Sequence, residues 1–129
     1  MQEVRKASTR RLRVYIAGPI TNGGKGYDMK SIHEATKVHL RLIELGFVSH
    51  CPQLTVFCDF MAPNRIPYGV WLDLDQCYID DCDVILRLPG ESRGADRECQ
   101  YAESIGIPVL DGLGNFLAEY KDCYGKVPV

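Results

Sequence analysis

The 129-residue chain is long enough for one domain with a real core and too short for two. Its 46% hydrophobic and 25% charged content is ordinary for a globular chain and argues against long disordered or fibrous segments. A net charge of −2 offers no basic field to hold a DNA or RNA polymer, although a single nucleotide stays open.

Met1–Arg13 is polar and basic without an apolar stretch, so no secretory signal is expected, and no apolar run approaches bilayer length. Met1–Arg10 reads as a flexible tail ahead of a single domain at 11–129, and the expected setting is cytoplasmic. Leu12–Ala17 (LRVYIA) is rich in β-formers and is cut off by Gly18-Pro19, a strand followed by a turn. Thr21–Gly26 (TNGGKG) is a glycine-rich loop without the spacing of a phosphate-cradling P-loop. Ser31-x-x-Glu34 predicts a capping box. Ile32, Ala35, Val38, Leu42 and Leu45 follow at helical spacing, and Gly46 supplies the stop.

Phe47–Cys51 reads as a second strand. Gln53–Pro67 is expected to be irregular, and its length for so small a domain suggests a lid or pocket wall. Tyr68–Asp81 reads as a helix, and Asp83–Leu88 (DVILRL) as a strand buried on both faces. A loop at Pro89–Arg93 leads to a helix at Gly94–Ile105, a short strand at Pro108–Leu110 and a last helix at Asn115–Tyr124. This alternation predicts an α/β fold with a mainly parallel sheet covered by helices on both faces. In such folds ligands bind outside the carboxyl ends of the strands, here Gly18–Gly26, Cys51–Phe60 and Pro89–Arg93.

Six cysteines show no C-x-x-C pair and no histidine at zinc-finger spacing. Buried, reduced thiols are the expectation, with no metal and no cofactor. His33 and His39 read as helix-surface residues, and no histidine has a Ser or Cys partner at a telling spacing.

Three constellations carry candidate chemistry. In Leu88–Glu98 (LPGESRGADRE) a strand runs through small residues into a helix. Ser92, Gly94 and the first-turn amides gather there as an anion site. Glu98, about one turn inside, is expected to be kept ionised by the helix dipole, as suits a nucleophile. In Trp71–Asp83 (WLDLDQCYIDDCD), Asp75 lies near the Trp71/Leu74/Tyr78 stripe, whereas Asp73 points about 200° away. Asp80 and Asp81 read as a solvated helix end, and the acids lack a consistent metal geometry. Tyr15, inside the first strand beside the Gly18–Gly26 loop, needs a hydroxyl partner if buried.

VYIAGPIT at Val14–Thr21, WLDLDQCYIDDCDVILRLPG at Trp71–Gly90 and SRGADRECQYA at Ser92–Ala102 together resemble the nucleoside 2-deoxyribosyltransferase superfamily. The wording LPGESRGA and the Pro63–Tyr68 segment match its little-characterised phage and bacterial small-protein branch. The resemblance implies a flavodoxin-like (Rossmann-like) sheet and cleavage of the N-glycosidic bond of a nucleoside or nucleotide. It implies Glu98 as the nucleophile on the anomeric carbon, Asp75 assisting the leaving base or the nucleophile, and Tyr15 orienting the nucleophile. Substrate contacts are expected from Gly18, Pro19, Ile20, Trp71, Ser92, Gly94 and Ala95. Asn115 is expected to reach the site from a neighbouring subunit of a homodimer or larger homo-oligomer, with Tyr124 a second candidate.

Within the superfamily, an aspartate six residues before the nucleophile accompanies free nucleosides. Ser92 at that position is similar to the hydrolases of 2′-deoxynucleoside 5′-phosphates. An aspartate would repel a phosphate, whereas a serine beside helix amides can bind one, with Lys25, Arg93 and Arg97 as further positive charge. Hydrolysis of a 5′-monophosphate is therefore favoured over transfer between bases. The competing reading is a nucleotide-binding or sensing module without turnover. In either case the expected partner is a small-molecule nucleoside or nucleotide, with no nucleic-acid polymer and no membrane.

Overall fold

The computed structural model describes residues 10–125, so most of the expected Met1–Arg10 tail lies outside the described residues. Arg10 itself donates to the Asp83 carboxylate at 2.9 Å. Four strands form one sheet: β1 (Arg13–Ala17), β2 (Val48–His50), β3 (Val84–Arg87) and β4 (Val109–Asp111). Their order is β2-β1-β3-β4, and every pairing is parallel. Helices α1 (Met29–Glu44), α2 (Val56–Met61), α3 (Tyr68–Asp80), α4 (Arg93–Ser104) and α5 (Gly112–Glu119) accompany them among the described residues.

The strand order places β2 on one side of β1 and β3 on the other. The chain therefore reverses its direction of growth at β1/β3, the position at which sheets of this kind bind ligands beyond the strands' carboxyl ends. Alternation along the strands feeds two cores. Val14, Ile16, Val84 and Leu86 pack with Ala35 and Leu42 of α1 and Phe116 of α5. Tyr15, Ala17 and Ile85 pack with Ile79 of α3 and Ala95 and Ala102 of α4. Helices thus cover both faces, and the fold is the flavodoxin-like α/β sheet expected.

Several local expectations are corrected. The first helix is capped by Asp28, not by a Ser31/Glu34 box: Asp28 Oδ1 accepts the Ser31 amide at 3.1 Å, one turn earlier. The 53–67 stretch is not wholly irregular, because Pro52–Thr55 forms a 3-10 turn and α2 follows directly. Only Val56 of α2 is buried, so no helical periodicity marks it in the sequence. The last helix runs Gly112–Glu119 rather than Asn115–Tyr124. Its chain turns extended at Tyr120 to pack on Phe116, and the Cys123 carbonyl accepts the Leu12 amide. All six cysteines are free, but Cys58 and Cys77 are exposed rather than buried. Among the described residues no helix is long and apolar enough to cross a membrane.

Candidate active site

Tyr15 stands inside β1 with no solvent exposure, facing α3 and α4. Its hydroxyl donates to Glu98 Oε2 at 2.5 Å, which supplies the partner a buried phenol requires. Glu98 comes from α4, whose start is fixed by Ser92: the serine Oγ accepts the Ala95 amide at 3.0 Å. Helix α3 contributes Asp75, half-buried on the Trp71–Asp75–Ile79 row that faces the sheet. Three elements therefore bring Tyr15, Glu98 and Asp75 into electrostatic reach of one another.

Burial dominates the charges here. It raises the Glu98 carboxyl to about 7; Asp75 raises it further, while the Tyr15 hydrogen bond, Arg87 and Arg97 oppose. Burial also lifts Asp75 to about 6. The Tyr15 phenol is held far above its usual range by burial, then by Glu98 and Asp75. The expectation that the helix dipole keeps Glu98 ionised is thus corrected. Glu98 lies in the second turn of α4, beyond the reach of the terminal partial charges, and desolvation outweighs what remains. Two carboxyls raised side by side can hold one proton between them; with Glu98 the higher of the two, that proton rests on Glu98 and must pass to Asp75 before Glu98 can attack.

Other expected substrate contacts fall at two rims. Gly18 and Pro19 follow β1 and are buried, and the Ile20 carbonyl accepts the Asp28 amide. A Cβ on Gly18 would lie 3.2 Å from Leu88 Cβ, so the two strand-end loops touch. Gly94 sits in the first turn of α4, while the Ala95 side chain belongs to the core and its amide is taken by Ser92. Within its own chain Asn115 lies apart from this site, on the opposite side of the sheet. Its amide donates to the Asp111 carbonyl at 2.7 Å on α5, which packs on the other core. Tyr124 is exposed, past the end of α5.

From the sequence alone His50 and Gln53 carry no expected part in the site, and His39 is expected on the helix surface. His50 pairs with Tyr15 in the β1/β2 register, lies 5.6 Å from it between ring centroids, and stacks on Tyr78 at 3.8 Å. Its Nε2 is buried without a hydrogen-bond partner, and burial lowers its pKa. His39, expected on the helix surface, is half-buried with Nδ1 2.7 Å from Ser49 Oγ. Gln53 is fully buried; its Nε2 reaches the Ile16 and Gly18 carbonyls at 3.4 and 3.5 Å, bracing the end of β1. Strand alternation would have found His50, since same-face neighbours in parallel strands follow from register. Among the described residues no group of three or more His, Cys, Asp or Glu is placed to hold a metal ion.

Residues 12–111 match the family described as a domain of unknown function, DUF4406. Among curated proteins no sequence matches the chain. Among solved structures the fold is similar to a 2-deoxyribosyltransferase from the psychrotolerant bacterium Bacillus psychrosaccharolyticus. The TM-score is 0.59 at 17% identity, over 77% of this chain and 70% of that one. The likeness to the nucleoside 2-deoxyribosyltransferases read from the motifs is therefore borne out in the fold. The chain belongs to the DUF4406 family, on a deoxyribosyltransferase-like α/β sheet.

Proposed function

We propose that the protein cleaves the N-glycosidic bond of a (deoxy)nucleoside 5′-monophosphate or nucleoside, with Glu98 as nucleophile. The observation that carries this reading is the hydrogen bond from the buried Tyr15 to Glu98, with Asp75 in electrostatic reach of both. The Glu98 carboxylate attacks the anomeric carbon as the bond to the base breaks. The proton that Glu98 gives up on becoming the attacking carboxylate passes to Asp75, and the base leaves with the bonding electrons and takes it from there. Water, or a second base in a transfer reaction, then displaces Glu98 from the glycosyl ester and gives up its proton to the Asp75 carboxylate. This is the two-carboxyl logic of retaining glycosidases. Ser92 at the start of α4, with Gly94, is the anion-binding end and favours the monophosphate and hydrolysis. Trp71, half-buried on the Asp75 row, offers a face for the base or sugar.

The direct test incubates the protein with the deoxynucleoside monophosphates and the nucleosides and measures released base. Release from a monophosphate is the expected result. A nucleotide-dependent rise in melting temperature with no base released across the panel would instead leave a binding module. Free thiols, two of them exposed, suit the reducing cytoplasmic setting proposed for the enzyme.

A homodimer is the proposed assembly. On a helical wheel Cys77, Val70, Leu74, Tyr78 and Trp71 of α3 form an apolar arc of roughly 120°, ended by Asp75. The sheet uses only the Trp71–Asp75–Ile79 row, and Val70, Leu74 and Tyr78 stay between 41% and 52% exposed. An apolar flank of this extent marks an interaction surface. Leu74→Arg is expected to convert a dimer to a monomer in sedimentation velocity runs. A wild-type protein that sediments as a monomer at high micromolar concentration would remove the assembly.

A further inference from the structure

Arg87 ends β3 between Ala17 of β1 and Asp111 of β4, and its side chain is only 13% exposed. Its guanidinium donates to the Leu88 carbonyl, to the Gly90 carbonyl at 3.0 Å and to Asp96 Oδ1 at 3.0 Å. A planar fork suits three acceptors set around one turn, where an ammonium would satisfy fewer. The turn so held is the one that launches α4. Gly90 has φ +115°, and a Cβ there would come within 2.8 Å of Pro19 Cγ. The β3–α4 turn therefore lies flush against the loop after β1, and Arg87 holds the turn that Pro19 packs against.

We propose that Arg87 is a positioning residue for Glu98, fixing the β3–α4 turn against Pro19 and holding a permanent positive charge behind the carboxylate. The assignment rests on the reading of Glu98 as the reacting group. The groups facing Glu98 are Tyr15 from β1, Asp75 from α3, Arg87 from β3 and Arg97 from α4 itself. Burial and Asp75 favour its protonated form; Tyr15 and the two arginines favour the ionised form that attacks. Arg97 is exposed and bonded weakly to the Tyr68 hydroxyl at 3.5 Å. Arg87 is the arginine that cannot swing away. Asp96 offsets part of its charge but is itself largely exposed, so screening by water weakens that offset.

The test is a carbon-13 NMR titration of the glutamate carboxyls in the whole chain, without substrate, the Glu98 signal being identified by its loss in Glu98→Gln. Arg87→Gln keeps a donor for the turn carbonyls and removes the charge. The Glu98 midpoint is expected to rise by roughly half a pH unit, the modest end for an opposite charge not in contact. Arg87→Lys keeps the charge and is expected to stay near the wild-type midpoint. Arg87→Met, which also lacks the charge, serves in place of the Gln variant should that not fold. An unmoved midpoint in a folded uncharged variant, or an equal rise in the Lys variant, overturns the proposal. Because the titration involves no turnover, it stands or falls separately from any base-release result.

Discussion

Glu98→Gln is expected to lower base release by about 10³-fold or more while leaving the fold intact. The amide has nearly the shape of the carboxyl it replaces, and its carbonyl can still accept the Tyr15 hydrogen bond. What it loses is the capacity to form a glycosyl ester, so the loss belongs to the chemical step. Released base measured by chromatography, beside a circular-dichroism melt, separates this from unfolding. Retention of the wild-type rate by a folded Gln variant would sink Glu98 as nucleophile. Asp75→Asn offers a contrast, since it removes a proton donor rather than the attacking atom. Its deficit should be smaller on substrates whose base leaves easily.

The same substitution should stabilise the protein increasingly as pH rises from 5 to 8. Burial raises Glu98 from an ordinary 4.5 to about 7 in the folded chain. Between those values the folded state holds a proton that the unfolded state has released. Stability from the protonated group is therefore fully present below about 4.5 and is lost as pH climbs through about 7. Asp75 acts in the same direction between 3.8 and about 6. His39 and His50 act oppositely, because burial lowers their pKa and stability rises as they lose protons.

The informative quantity is therefore the difference between variant and wild type, in which the other groups largely cancel. The melting temperature of Glu98→Gln minus that of wild type should grow by roughly 5–10 °C across this window. A difference that stays flat would mean Glu98 is solvated in solution. Burial would then not raise the Glu98 carboxyl as the fold implies.

The strands and most helices could be read from the chain because their signals are local. DVILRL is continuously apolar as a doubly covered strand must be, and the 32–35–42 spacing of α1 names its buried face. The Tyr15–Glu98–Asp75 grouping followed from motif resemblance together with helical geometry. What could not be read depends on distant partners. Whether Glu98 is ionised turns on how deeply β1 and α3 bury it, and no feature of α4 alone reports that. Arg87 looks like a strand-end charge, since its acceptors are turn carbonyls that exist only once the chain has folded. His50 gains meaning through its register with Tyr15. Helix α2 was missed because a helix resting on Val56 alone has no face to announce it.

The single row by which α3 touches the sheet makes its two carboxyl partners unequal in permanence. Glu98 rides on a helix nailed down by Ala95 and Ala102, both sunk in the core, and by a serine cap. Asp75 rides on a helix with Ile79 as its lone fully buried residue. An element with so few interior contacts opens at lower free energy than the domain as a whole. In a lone protomer the acid would thus come and go with brief excursions of one helix while the nucleophile stayed in place. Whatever clamps that helix, whether ligand or neighbouring copy, would govern how much of the population is ready to react.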